Sequence, residues 1–331
     1  MVLNTMNEVH DRVWRSATLR EAEGVSEMSF FAMGTRCRAA VAGADRAVEN
    51  AYFEALLAQV VRFESTYSRF LPDSLVSRIN TNAGQGWVEI DEEASQLLAL
   101  CNELNFVTGR TFDPTAGPLL KLWNWKANPP RIPSDEEVQE VRRRVGWQFV
   151  ERRAGGVRLS IEGMTLDLGG IGKEFAVDQA IGLAANHGLK NVLIDFGQDI
   201  RVLGRPPGKP AWHVGLENPN SPGTCWASVA IDQQALASSG NYLRCFEVEG
   251  RKFGHIIDPR AGYPATTDCL AASVIGPNCT IAGVLATCAL ILGAKPGLDL
   301  IRRQYGFDAA LYSAHGPVFS PAFDRHLVQI L

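Results

Sequence analysis

Four short segments are denser in glycine, aspartate and small polar residues than the fold alone would require, and they are the candidates for chemistry. They are 108–118 (TGRTFDPTAGP), 166–173 (LDLGGIGK), 195–199 (DFGQD) and 255–262 (HIIDPRAG). In the second, the glycines allow close backbone approach where a strand runs into a helix, and the free amides of a helix start favour a phosphate. Lys173 in the first helical turn opposes the helix dipole unless it faces an anion. The segment predicts an anion-binding helix start, with an ordinary strand–turn–helix junction as the alternative.

The fourth segment offers an acid–base pair. His255 and Asp258 lie at a strand end, and histidine is the side chain whose ordinary pKa lies nearest neutral pH. Their spacing does not require the two side chains to face each other, so a structural histidine is the alternative. The motif Phe112-Asp113-Pro114 likewise allows a functional and a purely structural interpretation, because Asp before Pro is common in turns.

Composition narrows the possible functions. The chain has 331 residues, 46% of them apolar, which is enough for a large core in one domain or two intimate ones. A net charge of −4 argues against a nucleic-acid partner. Seven scattered cysteines without CxxC spacing indicate buried thiols in a reducing compartment. The N-terminus lacks the apolar core of a secretory signal, and no apolar run reaches the roughly 18 residues of a membrane span. We therefore predict a cytoplasmic protein.

Hydrophobic periodicity and capping residues predict the elements that carry these segments. Helices are expected after Asp45, Asp91 and Ser134, from Lys173 to Asn186 and from Ile281 to Leu292. A strand over 29–42 is expected to break at Met33-Gly34-Thr35. Hairpins are expected around Glu162-Gly163 and Glu249-Gly250, and single strands over 191–196 and 270–275.

Helices and strands alternate without a strict βαβ rhythm, which predicts an α+β fold with largely antiparallel sheets flanked by helices. The first 28 residues are polar, and we expect them to form a peripheral segment. Residues 29–331 are expected to form the domain.

Taken together, the motifs resemble those of the ApbE family of FAD:protein FMN transferases, whose architecture is T-fold-like. The resemblance runs collinearly over about 29–293, in the strings FFAMGT (30–35), STYSRFLPDSLVSRIN (65–80), TFDPTAGPLLKLW (111–123), LDLGGIGKEFAVD (166–178), LIDFGQDIRVLG (193–204), SSGNYLR (238–244) and HIIDPRAG (255–262). It implies an enzyme that cleaves FAD with the help of Mg²⁺, transfers FMN to a threonine of an acceptor protein and releases AMP.

The resemblance also implies roles for individual residues. The flavin nucleotide is expected to contact Met33, Tyr67, Phe112, Asp113, Pro114, Asp167 and Lys173. His255, with Asp258, is expected near the reacting phosphate as the catalytic group. The metal is expected at Thr287 and at the backbone carbonyl of Gly170.

The sequence departs from the family pattern at the metal site. Relatives carry an Asp four residues before the Thr of the apolar helix, so that both side chains share one helix face; here that position is Gly283. Where relatives often have Lys-Gly-Tyr, this chain has Lys173-Glu174-Phe175. Gly283→Asp is expected to strengthen metal binding unless a neighbour, for which Phe175 is a candidate, fills the space. Glu174 and Asp199 are the candidate replacement ligands.

Three activities fit this pattern. The first is an active FMN transferase with a rearranged or weakened metal site. The second is an FAD-binding protein without transferase activity, and the third is an FAD pyrophosphatase. Retained Asp167, Lys173, His255 and Thr287 favour the transferase, whereas Gly283 weighs against it.

Overall fold

The structure is a computed structural model that describes residues 2–242 and 244–331, with side chains from Met6 onward. The described residues form nine α-helices: α1 (Val2–Ser16), α2 (Arg46–Tyr67), α3 (Leu75–Thr81), α4 (Glu92–Val107), α5 (Gly117–Leu122), α6 (Asp135–Arg142), α7 (Gly172–Asn186), α8 (Cys279–Leu292) and α9 (Ala294–Arg302). None of them has the length and apolar character needed to cross a bilayer.

The same residues form the strands β1 (Thr18–Ala22), β2 (Val25–Ala32), β3 (Thr35–Ala42), β4 (Val88–Glu89), β5 (Val150–Arg153), β6 (Gly156–Leu159), β7 (Val192–Phe196), β8 (Asp199–Leu203), β9 (Trp212–Glu217), β10 (Cys225–Ile231), β11 (Ala235–Gly240), β12 (Cys245–Val248), β13 (Arg251–Gly254), β14 (Ile257–Asp258), β15 (Tyr263–Pro264), β16 (Cys269–Gly276), β17 (Asp308–Ser313), β18 (Gly316–Phe319) and β19 (Leu327–Ile330).

A nine-stranded sheet organises the described part of the fold, in the order β1-β2-β3-β7-β8-β11-β16-β17-β18. The pairings between these named strands are antiparallel. One face carries α2, α7 and α8 over the largest core cluster, and the other packs on the small sheet β19-β10-β9 through Trp212, Trp226 and Phe323. The predicted α+β class with antiparallel sheets flanked by helices is therefore confirmed.

Strand alternation divides the side chains of β8 between the two faces of the sheet. Ile200 and Val202 point into the core shared with the small sheet. Asp199 and Arg201 point the other way and pair with Lys173 and Asp178 of α7. The period-2 geometry of one strand thus fixes how α7 sits on the sheet.

Capping residues define the ends of the helices as the sequence predicts. Asp45, Asp91 and Ser134 each accept a backbone N–H at the start of α2, α4 and α6, and Ser134 forms a complete capping box with Glu137. Such a cap contributes about 1 kcal/mol to helix stability. Met33 and Gly34 both have positive φ and join β2 to β3 in a two-residue turn, where the sequence predicts the strand to break.

Two local expectations are corrected. The hairpin expected around Glu162-Gly163 instead joins β5 to β6 through residues 154–155. The N-terminal segment 1–28 contributes α1 and β1, and Val9 and Val13 of α1 are buried in the main core, Val9 to 1% exposure. Because these two valines lie one turn apart on a single face, even a mostly polar helix can dock. At α1 the segment is therefore not peripheral.

Candidate active site

The glycine-rich segment leads directly into α7, as its composition predicts. The carbonyl of Leu168 accepts from the N–H groups of Ile171 and Gly172 at 3.1 and 2.7 Å, which turns the chain into the helix. Lys173 then extends to Asp199, with which it forms an ion pair. Asp199 is only 2% exposed. The anion that stabilises Lys173 in this first turn is therefore a carboxylate of the protein itself.

The first and second chemical segments meet side by side. The N–H of Asp167 donates to the carbonyl of Pro114 at 2.7 Å, and the Phe112 ring lies beside Gly170. The Asp167 carboxylate accepts from the N–H of Gly169 at 2.8 Å and pairs with Arg69 Nε at 2.7 Å. Asp167 therefore shapes the glycine turn and links it to the loop after α2.

Asp113 has a structural task in the loop before α5. Its Oδ1 accepts from the N–H and hydroxyl of Thr115 at 2.9 and 2.6 Å, and its Oδ2 accepts from the N–H of Trp147 at 3.1 Å. Burial raises the pKa of Asp113 above its ordinary value, although these bonds oppose the rise. An open cleft of about 260 Å³ adjoins it, lined in part by Arg110, Arg142 and Arg260.

Met33 and Tyr67 are held by two buried or half-buried glutamates. The N–H of Met33 donates to Glu64 Oε2 at 2.8 Å, which fixes the left-handed turn, and Arg12 of α1 pairs with the same oxygen. The Tyr67 hydroxyl donates to Glu93 Oε1 at 2.9 Å, and burial raises the pKa of Tyr67.

Helix α8 lies beside α7, and the two helices are fixed together at one point. The Asp178 carboxylate of α7 accepts from the N–H groups of Cys279 and Thr280 at 2.9 Å each, at the amino end of α8. Two of the free amides of α8 are thereby satisfied by a charge that the helix dipole favours. Farther along α8, the Thr287 hydroxyl lies 2.9 Å from Ser239 Oγ of β11.

His255 follows β13 and points one ring nitrogen at the backbone. Its Nδ1 lies 3.1 Å from the carbonyl oxygen of Arg244. A carbonyl only accepts, so Nδ1 carries the proton and Nε2 of the neutral ring keeps a free lone pair. Burial lowers the pKa of His255 to about 4, and the Arg244 guanidinium acts in the same direction. The ring is therefore neutral at pH 7 and can accept a proton.

Asp258 is not the partner of His255. Its Oδ1 accepts from the backbone N–H and from Nε of Arg260, at 2.9 Å each. Its Oδ2 accepts from Nη2 of the same residue at 2.8 Å. Burial raises the pKa of Asp258, but the bonds from Arg260 outweigh burial and hold it below the ordinary value. Asp258 thus shapes the turn after β14, and the predicted acid–base pair is not formed between these two side chains.

The pKa of His255 makes folding stability depend on pH. Between pH 6.5 and 4 the unfolded chain binds a proton at His255 and the folded chain does not, so stability falls as the pH drops through this window. We expect a loss on the order of 2 kcal/mol by pH 4 relative to His255→Gln. Urea denaturation of both proteins at pH 7 and 4 measures it. His326 is present in both proteins, so its contribution to the pH dependence cancels in the comparison. If the free energy of unfolding of the two proteins changed in parallel with pH, the low pKa of His255 would be contradicted.

The structure brings some predicted residues together and leaves others in supporting positions. Phe112, Pro114, Asp167, Gly170 and Lys173 form a continuous strip at the start of α7. Thr287 lies on the neighbouring helix. Asp258 is occupied within its own turn, and Asp113 is occupied by Thr115 and by the distant N–H of Trp147. The sequence alone does not reveal the roles of three residues: Ser239 pairs with Thr287, Asp178 positions α8, and Arg69 holds Asp167. Of these, only Asp178 carries a sequence signal, because it lies one helical turn after Glu174 on α7.

Solved structures share this architecture. The ApbE protein from Thermotoga maritima superposes with a TM-score of 0.83 at 29% identity, covering 90% of this chain and 97% of that one. The flavin transferase ApbE from Vibrio cholerae has a TM-score of 0.79 at 23% identity, with 94% and 100% covered, and supports the fold alone.

Sequence comparison gives the family. The ApbE family model matches residues 33–311. The chain is 32% identical over 294 residues to the FAD:protein FMN transferase of Treponema pallidum, covering 84% of this chain and 81% of the relative. It is 30% identical to the FAD:protein FMN transferase of Haemophilus influenzae, covering 76% and 74%. The chain belongs to the ApbE family.

Proposed function

We propose that this protein is an FAD:protein FMN transferase, which moves FMN from FAD to a threonine of an acceptor protein and releases AMP. The observation that supports it best is the strip at the start of α7. There the glycine turn, Lys173 and the Phe112 ring adjoin one another, and α8 lies alongside. Glycine amides and a lysine suit the pyrophosphate of FAD, and an aromatic ring suits a flat ring of the dinucleotide.

The reaction needs a base, because a threonine hydroxyl is a weak nucleophile. The threonine oxygen forms a bond to the FMN phosphorus, and the bond from that phosphorus to the bridging oxygen breaks. AMP departs with the electron pair, and the threonine proton passes to Nε2 of His255, whose other nitrogen is held by the Arg244 carbonyl. The N–H groups of Gly169, Ile171 and Gly172 are bound within the turn, so Lys173 and the N–H of Gly170 are the groups that offset the negative charge on the phosphates.

Magnesium fits the residues present. The described residues contain no cluster of three or more His, Cys, Asp or Glu side chains arranged as a ready-made metal site. A buried oxygen of Glu174 has no hydrogen-bond partner within the described part of the chain, however, and Thr287 supplies a hydroxyl on the adjacent helix. With the carbonyl of Gly170, these oxygens are the hard donors that Mg²⁺ prefers. The ion would neutralise phosphate charge and would lean on the phosphates of FAD for its remaining ligands.

Intact mass spectrometry tests the proposal. The protein is incubated with FAD, Mg²⁺ and a candidate acceptor, such as a protein encoded beside its gene, and with the same acceptor carrying Thr→Val at the target residue. We expect the acceptor to gain the mass of FMN and the valine variant to remain unlabelled, with AMP formed in equal amount. AMP with free FMN and no labelled acceptor would instead identify a pyrophosphatase. Bound FAD without turnover would identify a binding protein.

A further inference from the structure

Gly283 leaves a space on α8 that a side chain of α7 occupies. A Cβ built at Gly283 would lie 2.5 Å from Glu174 Cγ and 3.1 Å from both Cδ and Oε1. Real Cβ atoms do not approach a neighbour as closely as the first of these distances. Any side chain at position 283 would therefore require Glu174 to move. The neighbour that fills the space is Glu174, and not Phe175 as the sequence suggested.

The Glu174 carboxylate is buried and incompletely satisfied. The residue is 7% exposed, and among the described residues its Oε2 has no hydrogen-bond partner. Its Oε1 lies 3.7 Å from Lys173 Nζ, but that ammonium group is already paired with Asp199. A buried carboxylate costs several kcal/mol unless a cation or donors meet it. The arrangement therefore lacks a positive partner at Oε2.

The Glu174 side chain lies against the face of α8 that carries Thr287, with Cγ, Cδ and Oε1 nearest to Gly283. Positions 283 and 287 are one helical turn apart and share a face, and the Glu174 carboxylate contacts this face at Gly283. Asp178, one turn after Glu174 on α7, binds the amino end of α8 and so fixes the two helices in this register. A carboxylate from α7 thus meets α8 one helical turn before the position that carries the Thr287 hydroxyl.

We propose that Glu174 supplies the carboxylate ligand of the divalent cation from α7, in place of an Asp at position 283 of α8. The carboxylate thus stands at position 174 of α7 and the glycine at position 283 of α8. The negative charge reaches the space between the two helices from α7 instead of from α8. Asp199 is the weaker candidate, because Lys173 occupies it. The inference rests on the proposed function, which supplies the FAD phosphates that complete the coordination.

Manganese binding measures the ligand directly, through the loss of the free Mn²⁺ signal in electron paramagnetic resonance with and without FAD. We expect wild type to bind one Mn²⁺ in the presence of FAD, and Glu174→Gln, which keeps the shape, to bind it at least about tenfold more weakly. Glu49→Gln is the matched control. Glu49 is also a first-turn glutamate, 6% exposed, but Ser26 donates to it at 2.7 Å. It should bind Mn²⁺ as wild type does.

The exchange itself is tested by moving the carboxylate back. Gly283→Asp alone should lower the unfolding midpoint and should not tighten Mn²⁺ binding, because Glu174 fills the space. Glu174→Gly combined with Gly283→Asp should restore Mn²⁺ affinity to within about threefold of wild type. Wild-type affinity in Glu174→Gln, or tighter binding in Gly283→Asp without loss of stability, would overturn the inference.

The acceptor-labelling assay separates this inference from the proposed function. If wild type labels an acceptor while Glu174→Gln binds Mn²⁺ normally, the metal ligand is wrong and the transferase stands. If Mn²⁺ binding depends on Glu174 but no acceptor is labelled and AMP is not formed, the ligand stands and the transferase does not.

Discussion

His255→Ala is expected to slow FMN transfer by about 100-fold or more, the usual contribution of a positioned base, while FAD binding changes little. The neutral ring has one nitrogen held by the Arg244 carbonyl and the other free to take the threonine proton. Its low pKa keeps it unprotonated at pH 7. Single-turnover labelling of an acceptor measures the rate, and titration of flavin fluorescence measures the affinity for FAD.

His213→Ala serves as the control, because His213 is an exposed residue of β9 in the small sheet. It should transfer FMN at the wild-type rate. The role of His255 would be disproved by a His255→Ala protein that labels the acceptor as fast as wild type. A rise in transfer rate with pH around 4 in wild type, absent from His255→Gln, would support the base directly.

Lys173→Ala is expected to weaken both the fold and the binding of FAD. Asp199, 2% exposed, would lose the cation that neutralises it, and breaking such a pair costs about 3 kcal/mol. Loss of a charge-assisted hydrogen bond to the pyrophosphate should reduce FAD affinity by about tenfold to a hundredfold. Urea denaturation and calorimetric FAD titration measure the two effects.

A second substitution separates these effects. Lys173→Ala with Asp199→Asn removes the unpaired buried charge, so most of the stability should return while FAD affinity stays low. Lys190→Ala, at an exposed position after α7, should change neither quantity. If the double variant also regains FAD affinity, Lys173 acts only through the fold, and its placement at the pyrophosphate is wrong.

The parts of the fold that local chemistry determines could be predicted from the sequence. Asp45, Asp91 and Ser134 cap helices because their short side chains reach a nearby N–H. The start of α7 follows from its glycines, and the break at Met33-Gly34 follows from turn chemistry. In each case the partners lie within a few residues of each other.

Contacts between distant parts of the chain could not be predicted in the same way. Residues 164–168 alternate like a strand, yet the backbone of Leu166 is bound by the Asn80 side chain and the N–H of Asp167 by Pro114. The sequence shows an acid at 174 and a glycine at 283, but no periodicity reveals that they touch. The sequence also does not reveal that His255 and Asp258 have different partners, because this depends on the Arg260 side chain binding the Asp258 carboxylate two residues before it.

The bond from Asp178 to the amino end of α8 also bears on how the chain folds. It spans about a hundred residues of sequence, because Asp178 binds Cys279 and Thr280. Closing so long a loop costs conformational entropy, and folding slows as the sequence separation of the native contacts grows. Until α8 docks, the Asp178 carboxylate of α7 lacks the two N–H groups that it binds in the folded chain. The register between α7 and α8, on which the proposed FAD site depends, is therefore set only once both helices have docked on the sheet.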